Sequence, residues 1–507
     1  MLNKTGIVYL IGAGPGDPGL ITVKGKECIE TADVVVYDYL ASKTLLNYAR
    51  KDAEVIYVGK KGGDHTLTQD KINDLIVEKA KRGLNVARLK GGDPFIFGRG
   101  GEEAEELLEA GCSFEIVPGV TSAIAAPAYA GIPLTHRRFA SSVSIITGHE
   151  DPTKKDSSIN WKVLSQMDGT LVFLMGVKNL GHITTQLMEN GKDKETPVAL
   201  VRWGTTTKQR SVTGTLSNIV DVVKKANIKS PSIIVVGGVV TLKDTLKWFE
   251  DRPLFGKKII VTRAREQASD LVKLLTDLGA ECIECPTIKV VEPDETKALD
   301  NAISNIGKYE WLIFTSVNGV KYFFDKLFEK GLDVRALGSL KAATIGPATS
   351  QKLLDYGIKS DVIPETYRAE SVVEAFKEID VKDKNILLPR ALEARSVLPE
   401  ELTKMGAKID DVASYQTVTV HENKDLLISE LEDGNVDMVT FTSSSTVKNF
   451  KGMIPDDRFK ELTSKLKVAS IGPITSDTAK DLDFEITTEA EDFTIPGLTD
   501  AILKFYS

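Results

Sequence analysis

Cysteine is scarce: 507 residues hold four, Cys28, Cys112, Cys282 and Cys285. That is too few for a disulfide scaffold and points to a reduced compartment. Cys282 and Cys285 form one CxxC, but it lies in the strand-like run Glu281 to Ile288 with no second pair and no nearby histidine, so it reads as strand before metal or redox motif. The five histidines show no ligand spacing, and no metal is expected. No apolar run approaches the roughly 20 residues of a membrane span. The apolar opening, Ile7 to Ile11, gives way at once to glycine, proline and aspartate, unlike a secretory signal. Basic charge is not in excess either: 64 Lys and Arg against 72 Asp and Glu leave a net charge of -8. That argues against a nucleic-acid surface, whereas a polyanionic small molecule needs only a locally basic pocket. The expectation is a cytoplasmic protein with neither membrane nor nucleic acid as partner.

Buried-strand patterns alternate with helical ones from Ile7 onward, the signature of an α/β chain, and roughly 100 to 200 residues per domain predicts three or four lobes. Leu89 to Gly101 reads LKGGDPFIFGRGG, between a strand ending at Lys90 and a helical run from Glu102. Gly91 and Gly92 let bare main chain come close to a ligand. Asp93 adds a carboxylate at the strand's carboxyl end, the edge where open α/β sheets bind ligands. Gly12 to Gly19, GAGPGDPG, follows the first strand but falls short of a dinucleotide fingerprint, because its sixth position is Asp17. Asp17 and Pro18 also read as a helix start. Strands Asp33 to Tyr37 and Val55 to Val58 end in Asp38 and in Gly59-Lys60, a carboxylate and an ammonium that suit an acid/base pair or, equally, two solvated loop charges. An acid at position 38 also suits the ribose of a nicotinamide. An NAD-dependent oxidoreductase, fused to a two-lobed ligand-sensing module, is therefore the alternative reading.

The order GGDPFIFGRG, with GAGPG before it and PGVTS (Pro118 to Ser122), LMG ending at Gly176 and RWGTTTKQR (Arg202 to Arg210) after it, resembles the tetrapyrrole methylases, specifically the uroporphyrinogen III C-methyltransferases, from Thr5 to about Val240. The resemblance implies a methyltransferase over 1–250, with lobes of about 1–138 and 139–245 enclosing S-adenosylmethionine and a tetrapyrrole, and a homodimer formed through this half. Carried over by position, Pro15, Gly91, Gly92, Asp93, Ile96, Thr121, Ser122, Met175 and Gly204 are the implied cofactor contacts. Asp38 and Lys60 are the implied proton acceptor and donor. Arg137, one of two adjacent arginines in GIPLTHRR, is the nearest candidate for a carboxylate fork.

The second half repeats itself. Beyond a charged amphipathic helical stretch, Thr241 to Gly256, with a Pro/Gly break near Pro253, KIIVTRA around Arg263 recurs as NILLPRA around Arg390 and FTS at Phe314 recurs at Phe441, both 127 residues on. IGPAT at Ile345 recurs as IGPIT at Ile471, 126 residues on. Equal offsets mark an internal duplication of α/β units. Thr315 and Ser316 in one copy, and Thr442 and Ser443 in the other, follow strands and precede helices, where hydroxyls either cap the helix or grip an anion. With Arg390 they are the substrate candidates. This half resembles uroporphyrinogen III synthase from about Phe255 to the end. That implies a synthase over 254–507, with lobe one about 254–291 plus 420–507 and lobe two about 292–419, joined by two strands. Tyr415, in SYQT, matches the family's candidate for assisting departure of the substrate hydroxyl, and Thr442 and Thr475 match cleft positions. The two resemblances together imply a two-lobed tetrapyrrole methylase fold followed by a two-lobed, internally duplicated α/β synthase. Such a bifunctional enzyme of porphyrin biosynthesis closes hydroxymethylbilane to uroporphyrinogen III and methylates it twice, on the way to siroheme or cobalamin.

Overall fold

The computed structural model describes residues 5–59, 67–149, 158–263, 265–338, 340–366, 368–420 and 423–507. By its internal contacts the chain divides into two compact units, Met1–Lys257 with Asp277–Glu281, and Lys258–Thr276 with Cys282–Ser507.

The amino unit opens with five short runs of Val, Ile and Leu, which form β1 (Ile7–Gly12), β2 (Val34–Tyr37), β3 (Glu54–Tyr57), β4 (Val86–Lys90) and β5 (Ser113–Val117), in the order β3-β2-β4-β1-β5. Every pairing is parallel, so all five carboxyl ends meet at one edge. Because β1 has β4 on one side and β5 on the other, the loops after these three strands converge at the point where strand order reverses. A second sheet follows, built from β6 (Val143–Thr147), β7 (Thr170–Leu174), β8 (Pro197–Arg202), β9 (Arg210–Thr215) and β10 (Ser232–Val236), in the order β6-β7-β10-β8-β9. Only β6 and β7 run parallel; the other neighbours alternate. Strand β9 is absent from the sequence reading. It is an edge strand, RSVTGT, held by main-chain pairing to β8 alone, so its side chains carry no apolar period.

In the carboxyl unit the duplication and the lobes do not coincide. One sheet takes β11 (Lys258–Val261) and β12 (Glu281–Glu284) with β18 (Met438–Phe441), β19 (Lys467–Ser470) and β20 (Thr488–Glu489). The other takes β13 (Ile288–Val291), β14 (Trp311–Phe314), β15 (Lys341–Thr344), β16 (Asn385–Ala391) and β17 (Lys408–Thr419). Strand β11 of the first copy pairs with β18 of the second, and β16 of the second pairs with β14 of the first. One lobe therefore combines the first two strands of the first copy with the last three of the second, and the other lobe the first two of the second copy with the last three of the first. The first switch of sheets lies between Glu284 and Ile288 rather than near Glu292: Pro286 has no N–H for a ladder, and the strand-like run divides there into β12 and β13.

The stretch Thr241 to Gly256 is not one amphipathic helix. A 3-10 turn at Gly238–Leu242 passes into a single α turn, Lys243–Leu246, and the rest is irregular. Its aromatic residues explain why. Trp248 donates its indole N–H to the Ala128 carbonyl at 3.1 Å, and Trp248 and Phe249 both pack edge-on to Tyr129, so tertiary contacts override helical propensity. No helix among the described residues is long and apolar enough to cross a membrane.

Alkali should loosen the carboxyl unit. Burial pushes the Cys285 thiol up to about 12, and burial raises the Tyr309 phenol to about 12, helped by Asp410. In the unfolded chain these groups ionise near ~8.5 and ~10. The unfolded state therefore loses its protons first, so the stability is whole below pH ~8.5 and declines as pH rises toward 12, by about 1.4 kcal/mol per group per unit once each unfolded value is passed. Urea unfolding followed by alkylation of Cys285 should show a midpoint well below the neutral value at pH 10.5. An unchanged midpoint would refute it.

Candidate active site

The carboxyl edge of the first sheet and the loops of the second enclose a cavity of about 630 Å³. Pro15 enters it from the loop after β1; Gly91, Gly92, Asp93 and Ile96 from the loop after β4; Thr121 and Ser122 from the loop after β5 and the start of the helix Ser122–Tyr129. Met175 and Gly204 come from the second sheet, after β7 and β8. All the residues expected to hold a cofactor thus line one space.

Close main-chain packing makes its floor. Gly14 and Gly92 exchange both N–H···O bonds, at 3.2 and 2.7 Å, and Gly92 takes φ +73°, where a side chain would be strained. A Cβ on Gly12 would stand 2.5 Å from the Gly119 Cα, so the loops after β1, β4 and β5 touch backbone to backbone. Asp93 ties them together. Its Oδ1 accepts from the N–H of Phe95 at 2.8 Å and of Ile96 at 3.1 Å, and its Oδ2 accepts from Gly119 at 3.0 Å. The carboxylate thus shapes the cradle from within.

Asp38 is not a wall of the cavity, although Tyr39, Leu40, Ala41 and Ser42 just after it are. Its Oδ1 accepts from Leu40 N at 3.0 Å and Ala41 N at 3.3 Å, an Asx turn that sets the course of that wall, and its Oδ2 lies 3.6 Å from Arg88. Lys60 lies outside the described residues. Arg137 is exposed in the turn between Tyr129 and β6 and is not among the residues lining the cavity.

Several lining residues escape the sequence reading: Tyr39, His149, Lys178 and Trp203. They come from separate loops, and no spacing links them. Of the four only Trp203 has an unusual backbone, and it has company. Of the non-glycine residues with positive φ, Phe97, Met175 and Trp203 line this cavity, and Arg99 and Thr205 adjoin it in sequence. Such backbone costs about 1–3 kcal/mol per residue and persists only where the surrounding structure over-determines it. A second trough of about 780 Å³, with Phe95, Phe97, Arg99, His149 and Met175 on its walls, shares Phe97, His149 and Met175 with the cavity.

The two lobes of the amino unit are latched beside the cavity. Asp17 donates its N–H to the Thr205 hydroxyl at 3.1 Å, and its Oδ2 accepts from the Tyr129 hydroxyl at 2.8 Å. Burial, reinforced by Asp17, raises the Tyr129 phenol far above its usual value, so the hydroxyl stays a donor. Glu250, from the irregular stretch after the second sheet, accepts from Gln209 at 2.9 Å and Ser211 at 2.8 Å, and Gln209 also donates to the Tyr129 carbonyl.

In the carboxyl unit Tyr415 is buried, 8% exposed. A register shift between Arg390 and Ala391 pairs Ala391 with Tyr415, and this bulge re-aims the ring. The Tyr415 hydroxyl lies 3.0 Å from that of Ser316, and Tyr322 stacks on the ring at 5.9 Å. Ser316 and Ser443 begin equivalent helices, accepting from Gly319 N and Thr446 N respectively, so both hydroxyls are committed to capping. Thr315 and Thr442, one residue earlier, are half-buried. Thr475 is buried in the first turn of the helix Pro473–Asp481. Arg390 departs from expectation as a substrate fork: it is buried, forms a two-pronged pair with Asp411 and donates to the Arg395 carbonyl, so it serves the fold.

Residues 7–220 match the family model of the tetrapyrrole (corrin/porphyrin) methylases, and residues 269–500 that of uroporphyrinogen-III synthase HemD. A porphyrin biosynthesis protein HemD of Ruminiclostridium josui is 41% identical over 499 residues, 98% of either chain. A uroporphyrinogen-III C-methyltransferase of Priestia megaterium is 57% identical over 46% of this chain and 98% of its own. A crystal structure of a Thermus thermophilus uroporphyrin-III C-methyl transferase complexed with S-adenyl homocysteine is 38% identical, covering 46% of this chain and 99% of that one, with a TM-score of 0.40. The chain belongs to the HemD porphyrin-biosynthesis proteins, and it joins a tetrapyrrole methylase and a uroporphyrinogen-III synthase in one polypeptide.

Proposed function

We propose that residues 254–507 close hydroxymethylbilane to uroporphyrinogen III with loss of water, and that residues 1–250 transfer two methyl groups to that product from S-adenosylmethionine, giving precorrin-2 for the siroheme and cobalamin routes. One observation carries the methyl-transfer half: residues from five separate loops, each implicated by position alone, meet on one cavity whose volume lies within the ~300–1,000 Å³ typical of small-ligand sites. The donor fits what is there, a floor of bare main chain at Gly92 braced by an internal carboxylate.

The donor brings a methyl group already activated as a sulfonium, so the reaction read here calls for neither metal nor covalent nucleophile. What the chain adds is alignment and exclusion of water, together worth about 7–11 kcal/mol of the barrier. The second trough, with Phe95 and Phe97 on its walls, suits a flat macrocycle, and its Arg99 is paired with Glu102, also on the wall. The macrocycle must then give up a proton, the role assigned to Asp38 as acceptor, with Lys60 as donor. Asp38 also builds the wall beyond it, and two variants separate these roles. Asp38→Asn keeps an acceptor for the Leu40 and Ala41 N–H groups and should leave S-adenosylhomocysteine affinity within about twofold while kcat falls about a hundredfold. Asp38→Ala should lose both. Equal kcat in parent and Asp38→Asn would remove Asp38 from proton transfer.

The test of the whole reading is product analysis. The full chain with hydroxymethylbilane alone should yield uroporphyrinogen III, and with S-adenosylmethionine added it should yield precorrin-2. Recovery of only the uncatalysed isomer I, or tight NAD binding without any S-adenosylmethionine signal, would overturn it. A cytoplasmic homodimer joined through the methyltransferase half, without nucleic-acid or membrane partners, belongs to the same reading and is open to sedimentation.

A further inference from the structure

Strand β4 is buried along its whole length, yet two of its five residues are cations. Arg88 and Lys90 are 3% and 4% exposed and, two apart on a strand, share a face. Opposite them the helix Gly100–Glu109 contributes Glu103, 0% exposed. A single oxygen of that carboxylate, Oε1, accepts from Lys90 at 2.6 Å, from Gln69 at 3.0 Å and from Arg88 Nε at 3.4 Å. Oε2 is buried with no hydrogen-bond partner. Burial, then the neighbouring Arg88, lowers the Lys90 pKa.

A cluster of this kind is a poor way to stabilise a fold, since desolvation of each ion costs several kcal/mol and a bare carboxylate oxygen adds to the penalty. Its geometry suggests another use. Arg88 Nη1 donates to the Leu89 carbonyl at 2.9 Å, which with Glu103 at Nε fixes the plane of the guanidinium. Nη2 is then turned toward Asp38, 3.6 Å from Oδ2. Asp38 Oδ1 is already held by the Leu40 and Ala41 N–H groups, so the carboxylate is located from both sides. A lysine could supply the charge, but not a planar fork that spans two carboxylates at once.

We propose that Arg88, anchored by Glu103, is a positioning residue that orients the Asp38 carboxylate for proton removal in methyl transfer. The inference rests on Asp38 being the proton acceptor. Arg88, Glu103 and Asp38 are all absent from the cavity lining; Arg88 acts through Asp38, one residue before the wall that begins at Tyr39.

The experiment is a double-mutant cycle in the full chain: Arg88→Met, Asp38→Asn and the two combined. It reads kcat and KM for methyl transfer, S-adenosylhomocysteine affinity by calorimetry, and thermal unfolding. Arg88→Met should lower kcat about tenfold or more, leave KM for the donor and the calorimetric affinity within about twofold, and cost nothing further in the Asp38→Asn background. Arg88→Lys should restore part of the loss. A parental kcat in Arg88→Met, or a loss that adds in full to that of Asp38→Asn, overturns the inference and leaves the acceptor assignment standing. A parental kcat in Asp38→Asn itself overturns both. Should Arg88→Met melt the amino unit, Glu103→Gln takes its place, because it removes the anchoring charge without changing shape. The same split between kcat and affinity is expected of it, and unchanged kcat in a folded Glu103→Gln protein counts against the inference.

Discussion

Asp93→Ala is expected to abolish methyl transfer while ring closure by the carboxyl half continues at the parental rate. The carboxylate accepts three backbone N–H bonds, two within its own loop and one from Gly119 across the cavity floor. Hydrogen bonds to a charged group are worth about 1.5–3 kcal/mol each, and the N–H groups left behind are only partly rescued by water. A net loss of about 3 kcal/mol, more than a hundredfold, is therefore expected in S-adenosylhomocysteine affinity. The loss is large because the loops after β4 and β5 are in backbone contact and cannot adjust independently: a shift in one displaces both. Asp93→Asn keeps the Oδ1 acceptor but turns an NH₂ toward the Gly119 N–H, so it should fall between parent and alanine. Calorimetry with S-adenosylhomocysteine and a ring-closure assay on the same preparation decide the matter. Retained affinity would show that the cradle holds without its brace, and loss of both activities would mean that the halves do not divide as proposed.

The cradle is legible in the sequence because its grammar is local. A buried strand, then GGDP, then a helical run states a turn at a sheet edge, and the parallel order of the first sheet brings four such turns together. What escapes has no local grammar. Strand β9 is held by main-chain pairing at an edge, the stretch after Lys247 is shaped by rings packed on Tyr129, and Trp203 and His149 reach the cavity from loops far apart in the chain. The 127-residue repeat is plain in the sequence, yet its copies exchange their first two strands between sheets, because sheet partners depend on chain path as well as strand identity. Arg390 shows the opposite failure. Its position within a repeated motif invites a substrate role, but a buried guanidinium needs a partner, and Asp411 on the adjacent strand provides it.

Tyr415→Phe should slow ring closure by about ten- to a hundredfold, the usual contribution of one positioned proton donor, and leave methylation of added uroporphyrinogen III unchanged. Burial raises the phenol's pKa above its ordinary value of about 10, with the Ser316 hydrogen bond opposing in part, so the group keeps its proton throughout the neutral range. It is therefore available to donate toward a departing hydroxyl, and it cannot serve as a base. Phenylalanine keeps the stack on Tyr322 and the packing in the bulge, and removes only the oxygen. Stability should fall by about 1 kcal/mol, the worth of one neutral hydrogen bond. Ser316→Ala is the informative companion. It deletes the cap on Gly319 N as well as the partner of Tyr415, so it should cost about 1 kcal/mol or more of stability, yet slow closure less than Tyr415→Phe does. If Tyr415→Phe closes the ring at the parental rate, the tyrosine is a core aromatic and proton donation must be sought elsewhere. If Ser316→Ala proves the slower of the two, the hydroxyl that matters is the serine's, and Tyr415 only holds it in place.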